Sequence, residues 1–271
     1  MRRSYHFSRD ESTYRKRRIG DFEYYVSRTG FDGASLVAYR FPCVVSEKTG
    51  PDFVLVHGIG VSATSYAPTA AELAKRGEVH LIDMAGYGSS PTPDRNLTIE
   101  DHADLIAQYL KDKDLDHPVV VGHSMGTQVV ATLAARYPEE IDSLVLIAPV
   151  MVESARSLLK AGALILKDGM REPPVVALLA AYDYLFRAGI PYMARQTPQL
   201  LSFDIDDTAS RVQAKTLIIC GLEDPVVPLD WGEGLAERFP RGSFETIPGP
   251  HASMFAQPQT IAKLIHAHAY R

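Results

Sequence analysis

Cysteine is scarce in this chain: Cys43 and Cys220 are its two thiols, far apart and in neither C-x-x-C nor metal-ligand spacing. That scarcity excludes a disulfide-stapled scaffold and a zinc ribbon, and no HExxH signature points to another metal. No stretch approaches the ~20 apolar residues that a membrane span requires, and the Arg-rich beginning has no apolar core of the kind a secretory leader carries. The expectation is a reducing, cytoplasmic setting without integral membrane association. An excess of positive charge is also lacking. The 28 basic and 33 acidic side chains leave −5 on 271 residues, so the broad field that holds nucleic acid is absent and no nucleic-acid partner is expected. With 46% hydrophobic and 23% charged residues, the chain can bury a sizeable core and is not intrinsically disordered. Repeats and low-complexity tracts are missing.

The charge is unevenly placed. Residues 1–18 carry seven Arg or Lys against Asp10 and Glu11. Such a segment could dock an acidic partner or an anionic surface, but no apolar face accompanies the charge. We read residues 1–19 as a basic, solvated tail and assign it no function.

From residue 20 the pattern is strands, then strands alternating with helices. Phe22 to Ser27 and Leu36 to Phe41 read as an opening hairpin. Short apolar runs follow at Phe53 to Val56, Val79 to Asp83, Val119 to Gly122, Leu144 to Ala148, Thr216 to Cys220 and Phe244 to Ile247. Helix-period stretches at Tyr66 to Arg76, Ile99 to Lys111, Thr127 to Tyr137, Trp231 to Arg238 and from Pro258 onward separate them. This alternation predicts an α/β fold with a mostly parallel central sheet flanked by helices. Residues 150–207 interrupt it with helical, Pro-broken sequence. The simplest organisation is one core, 20–149 and 208–271, with a helical insertion at 150–207.

The chemistry concentrates at the ends of the strands. Gly122-His123-Ser124-Met125-Gly126 spells G-x-S-x-G between a strand and a helix. At roughly 7% Gly and similar Ser, chance alone supplies about 0.09 such matches in a chain of this length, so the motif is moderate by itself and its setting strengthens it. A sharp strand-to-helix turn lifts the Ser124 hydroxyl clear of the backbone and sets it beside the first N–H groups of a helix, where developing negative charge is favoured. The competing reading is a serine that merely caps the helix.

A nucleophilic serine needs a base. Of nine histidines, His251 stands apart in Pro248-Gly249-Pro250-His251, a rigid loop after the final strand, where open α/β sheets gather ligands. The base in turn needs a carboxylate to fix its tautomer. Asp224, in Gly221-Leu222-Glu223-Asp224-Pro225, is the candidate, with Glu223 as its neighbour and Glu153 as an alternative. For the oxyanion, the backbone N–H groups of Met125 and of Ile59, in His57-Gly58-Ile59-Gly60, are the expected donors. His57 itself reads as a brace for that loop.

In this order, Ser124, Asp224, His251, the sequence resembles the α/β-hydrolase superfamily over residues 20–271. The His57-Gly58 turn and the stretch Asp83-Met84-Ala85-Gly86-Tyr87-Gly88-Ser89-Ser90 add to the resemblance. It implies a serine hydrolase acting on an ester, thioester or similar carbonyl compound through a Ser-His-Asp triad and an acyl-enzyme, without a cofactor. It also implies that the insertion is a helical cap. Apolar side chains such as Met151, Leu158, Leu164, Val175, Leu178, Phe186, Tyr192 and Met193 would pack that cap and admit an apolar substrate group. Thr127 departs from the family by standing where many members carry another glycine. Cleavage of a C–C bond beside a carbonyl and acyl transfer use similar residues, and a non-catalytic small-molecule binder on this fold is a further alternative. A different class follows from Gly58-Ile59-Gly60-Val61-Ser62-Ala63 with Asp83, which fits a dinucleotide-binding fingerprint.

Overall fold

The computed structural model describes residues 15–19, 22–45, 49–150 and 190–270. Among the described residues, nine strands form one sheet in the order β1-β2-β3-β5-β4-β6-β7-β8-β9. β1 (Arg15–Ile19), β2 (Phe22–Phe31) and β3 (Ala34–Phe41) run antiparallel at one edge, and β3 joins β5 (Val79–Asp83) in the same sense. From β5 onward, β4 (Phe53–Val56), β6 (Val119–His123), β7 (Ser143–Ile147), β8 (Lys215–Gly221) and β9 (Gly242–Ile247) are parallel.

Every residue of β4, β5, β6 and β7 is buried. Such strands are covered by helices on both faces, which is why they read as continuous apolar runs and not as alternations. The chain leaves β4 to form β5 on one side and returns as β6 on the other. The carboxyl ends of β4 and β6 therefore flank a topological switch point, the crevice where parallel sheets hold ligands.

The helices α1 (Ala67–Leu73), α2 (Ile99–Asp112), α3 (Met125–Arg136), α4 (Ile190–Ser202), α5 (Ile205–Arg211), α6 (Leu229–Arg238), α7 (Ser253–Ala256) and α8 (Pro258–Ala269) are described. α2 starts at a capping box, with the Asp101 N–H donating to Thr98 Oγ1 (3.1 Å) and the Thr98 N–H to Asp101 Oδ2 (2.8 Å). α1 is shorter than its period suggests, because the chain turns back at Gly77, where a Cβ would lie 1.9 Å from the Pro51 carbonyl oxygen.

Two regions bear on the expected organisation. Residues 15–19 of the basic segment are the edge strand β1, paired with β2 from Arg15↔Val26 to Ile19↔Phe22. Four successive cations give no hydrophobic period to read, although charge on a sheet edge is a common guard against unwanted pairing. Residues 1–14 lie outside the described residues. So do 151–189, and with them Glu153 and the apolar side chains from Met151 to Phe186. Of the insertion's apolar residues, Val150, Tyr192, Met193, Leu200 and Ile205 are described and buried. α4 rests on the core through a Tyr192 hydroxyl that donates to the Ala85 carbonyl (2.9 Å) and a Gln128 amide that donates to the Leu200 carbonyl (3.1 Å). α5 crosses residue 208, so the expected boundary falls inside a helix.

α3 meets the sheet with no room to spare. A Cβ on Gly126 would lie 2.4 Å from the Val56 oxygen and 2.6 Å from the His57 oxygen, both backbone atoms. Gly126→Ala is expected to cost about 1–3 kcal/mol, read as a lower urea midpoint at unchanged slope.

Candidate active site

β6 ends and α3 begins with one residue between them. Ser124 occupies that position with φ 53° and ψ −120°, a left-handed conformation that a non-glycine residue holds only under constraint. The constraint is visible. Its N–H donates to the Ile147 carbonyl at the end of β7 (3.0 Å), while the N–H and hydroxyl of Thr127 both donate to its own carbonyl (3.0 and 2.6 Å). Thr127, the departure from the family's glycine, thus clamps the turn. Small neighbours make the turn feasible: a Cβ on Gly122 would meet the Gly126 oxygen at 2.5 Å, and one on Gly58 would meet Ser124 Cβ at 2.9 Å. Ser124 is 7% exposed.

The two loops beyond β8 and β9 are bound to each other. Asp224 Oδ2 lies 2.8 Å from His251 Nδ1, and Asp224 Oδ1 accepts from the N–H groups of Val226 (2.7 Å) and Val227 (3.1 Å). The side chains are 0% exposed for Asp224 and 12% for His251. Burial alone would raise the Asp224 pKa. The His251 charge and hydrogen bond, with the two amides, outweigh it and hold the carboxyl below its ordinary value. Glu223 accepts from the Gly249 N–H and so braces the histidine loop. The Glu223 N–H donates to the Gly249 carbonyl (3.1 Å), and a Cβ on Gly221 would lie 2.3 Å from that same oxygen.

His251 reaches the elbow through His123, the residue before Ser124. The His123 Nε2–H donates to the His251 carbonyl (3.1 Å), and the two ring centroids are 4.9 Å apart. Sequence reasoning passed over His123, which sits in a variable slot of the motif. The one available signal was a polar residue closing a fully apolar strand.

The expected oxyanion donors flank the same place. Met125 opens α3, so its N–H has no acceptor within the helix. Ile59 follows Gly58, which faces Ser124. That loop is held by buried His57, whose Nε2 accepts from the Met84 N–H (3.1 Å), leaving the Nδ1–H to donate to the Gly58 carbonyl (2.8 Å).

Asp83, the acidic residue of the dinucleotide fingerprint, is occupied by its own chain. Its Oδ1 accepts from the Ala63 N–H (2.8 Å), and its Oδ2 from the Ser89 N–H (2.7 Å) and the Tyr39 hydroxyl (2.9 Å). A Cβ on Gly88 would lie 2.1 Å from that carboxylate. The carboxylate is buried and ties the loops after β4 and β5 to each other. Among the described residues, no group of three His, Cys, Asp or Glu could hold a metal ion, and no helix is long and apolar enough to cross a membrane.

The model for the alpha/beta hydrolase fold matches residues 51–186. A pimeloyl-[acyl-carrier protein] methyl ester esterase of Chromobacterium violaceum is 30% identical over 81% of this chain and 94% of its own length. A putative non-heme haloperoxidase of Mycobacterium phage D29 is 27% identical over 80% of this chain and 87% of its own. The solved enol-lactonase of Burkholderia xenovorans LB400 superposes with a TM-score of 0.76 at 19% identity, covering 90% of this chain and all of that one.

Two buried imidazoles give the fold a pH dependence. Burial foremost lowers the His123 pKa to about 3, with the nearby His251 charge adding to it, and burial lowers that of His102 to about 4. Both rings stay neutral in the native protein, while the unfolded chain protonates them near 6.5. Their contribution is therefore intact above that pH and lost as pH falls through about 4 for His102 and about 3 for His123. Stability should drop between pH 6 and 5 by about 1.4 kcal/mol per pH unit per group. Urea titrations at several pH values should show His102→Gln with a shallower slope than the parent.

Proposed function

The chain belongs to the α/β-hydrolase family, and on that premise we propose that it is a serine hydrolase cleaving an ester, thioester or similar carbonyl substrate with an apolar group. The observation that carries this reading is the 2.8 Å contact between His251 Nδ1 and Asp224 Oδ2, on a histidine whose main chain is bonded to the residue beside Ser124. Ser124 Oγ attacks the carbonyl carbon as its proton passes to His251 Nε2. The imidazolium is stabilised by Asp224, which also fixes the ring's tautomer. The N–H groups of Met125 and Ile59 stabilise the oxyanion. Collapse of the tetrahedral intermediate returns the proton from His251 to the leaving group and leaves an acyl-serine. Water, deprotonated by the same histidine, then attacks the acyl-serine, and His251 returns that proton to Ser124 Oγ as the acid is released.

In this scheme every proton is carried by the protein's own side chains, and no cofactor takes part. The insertion at 150–207 is read as the helical cap that the family resemblance implies, and Cys43 and Cys220, both free thiols, fit a reducing, cytoplasmic setting.

Incubation with a fluorophosphonate should add one adduct mass at Ser124, and Ser124→Ala should take none. Asp224→Asn should lower kcat by about 10³–10⁴-fold with little change in KM. Turnover of p-nitrophenyl esters of rising acyl length, thioesters and a vinylogous diketone then separates ester, thioester and C–C chemistry. A soundly folded protein that neither labels nor turns over any of these would refute the reading.

A further inference from the structure

We propose that His123 is a positioning residue that ties the main chain of His251 to the elbow and so sets where the base meets Ser124, a role that rests on the hydrolase reading above. The base has two kinds of anchor. Asp224 and Glu223 hold its ring and its loop to the turn after β8, which fixes the base relative to the acid. The bond from His123 Nε2–H to the His251 carbonyl refers the base to the nucleophile instead, because the Cα atoms of His123 and Ser124 are ~3.8 Å apart across a single trans peptide.

His123 suits this task for three reasons. Its acceptor is a carbonyl, which carries no proton, so the Nε2–H tautomer is fixed and the bond has one direction. The residue is buried at the end of β6, and its ring lies at 55° to that of His251, so it cannot be displaced by a rotamer change without disturbing the loop. It is also a donor without a charge. When Ser124 gives up its proton, a positive ring forms on His251 next to this one, and a cationic neighbour such as lysine would oppose that step. Burial and the His251 charge keep His123 neutral, with its pKa at about 3. Phenylalanine would keep the ring packing and lose the donor. Glutamine places an uncharged N–H at similar reach.

The test compares the parent with His123→Phe, His123→Gln and, as a second donor-free variant, His123→Met. Each is followed by fluorophosphonate labelling rate and end point, by kcat and KM on a p-nitrophenyl ester, and by urea midpoint. His123→Phe and His123→Met should label to the same end point but about 10- to 100-fold more slowly, with kcat falling in step and KM unchanged. His123→Gln should recover most of the rate. The assignment is overturned if a donor-free variant labels at the parent's rate. It is equally overturned if the loss appears only as a lower end point that follows a lower urea midpoint, or if His123→Gln is as slow as His123→Phe. A parent that never labels overturns the hydrolase reading itself, and the role of His123 with it.

Discussion

The left-handed backbone of Ser124 is the constraint around which the carboxyl edge of the sheet is organised. Holding a non-glycine residue there costs on the order of 1–3 kcal/mol, and the turn persists because its surroundings over-determine it. β7 takes its N–H, Thr127 takes its carbonyl twice, and the close approach of α3 to β4 leaves the chain no other path. The same tightness brings the Gly58 loop against Ser124. The serine proposed as nucleophile, a helix start and a second amide-bearing loop therefore share one small region without any of them being separately tethered there.

Around this point the polar groups are sorted by whether they must keep or change charge. Asp224 is fully enclosed yet held ionised by two amides and an imidazole. His57 and His123 are enclosed and neutral, each with a tautomer dictated by a backbone partner. The His251 side chain retains 12% of its exposure, where that of Asp224 retains none. The groups proposed to orient the chemistry are thus each held in one protonation state, and the group proposed as the proton carrier keeps part of its side chain exposed.

Much of this was legible in the sequence, for a physical reason. Parallel strands covered on both faces must be apolar throughout, and the turns at their carboxyl ends must be small or rigid, so β4 through β8 and the segments around Ser124, Asp224 and His251 announce themselves. Features that depend on pairing across the fold leave no such trace. The bond from His123 to a carbonyl 128 residues away requires nothing recognisable at its acceptor. β1 is built from cations, which carry no strand period. The start of α3 at Met125 follows from the backbone of Ser124, and helix propensity alone placed it two residues later. Asp83 shows the opposite hazard: a pattern that fits a ligand-binding fingerprint and is consumed by the protein's own loops.

The way α4 rests on the core bears on how such a protein diversifies. Tyr192 reaches the oxygen of Ala85, and Gln128 reaches the oxygen of Leu200. In each case one partner is a main-chain oxygen, present whatever residue supplies it. Mutation at positions 85 and 200 leaves these two docking points chemically intact, so the helix can exchange many of its neighbours over generations while its seat endures.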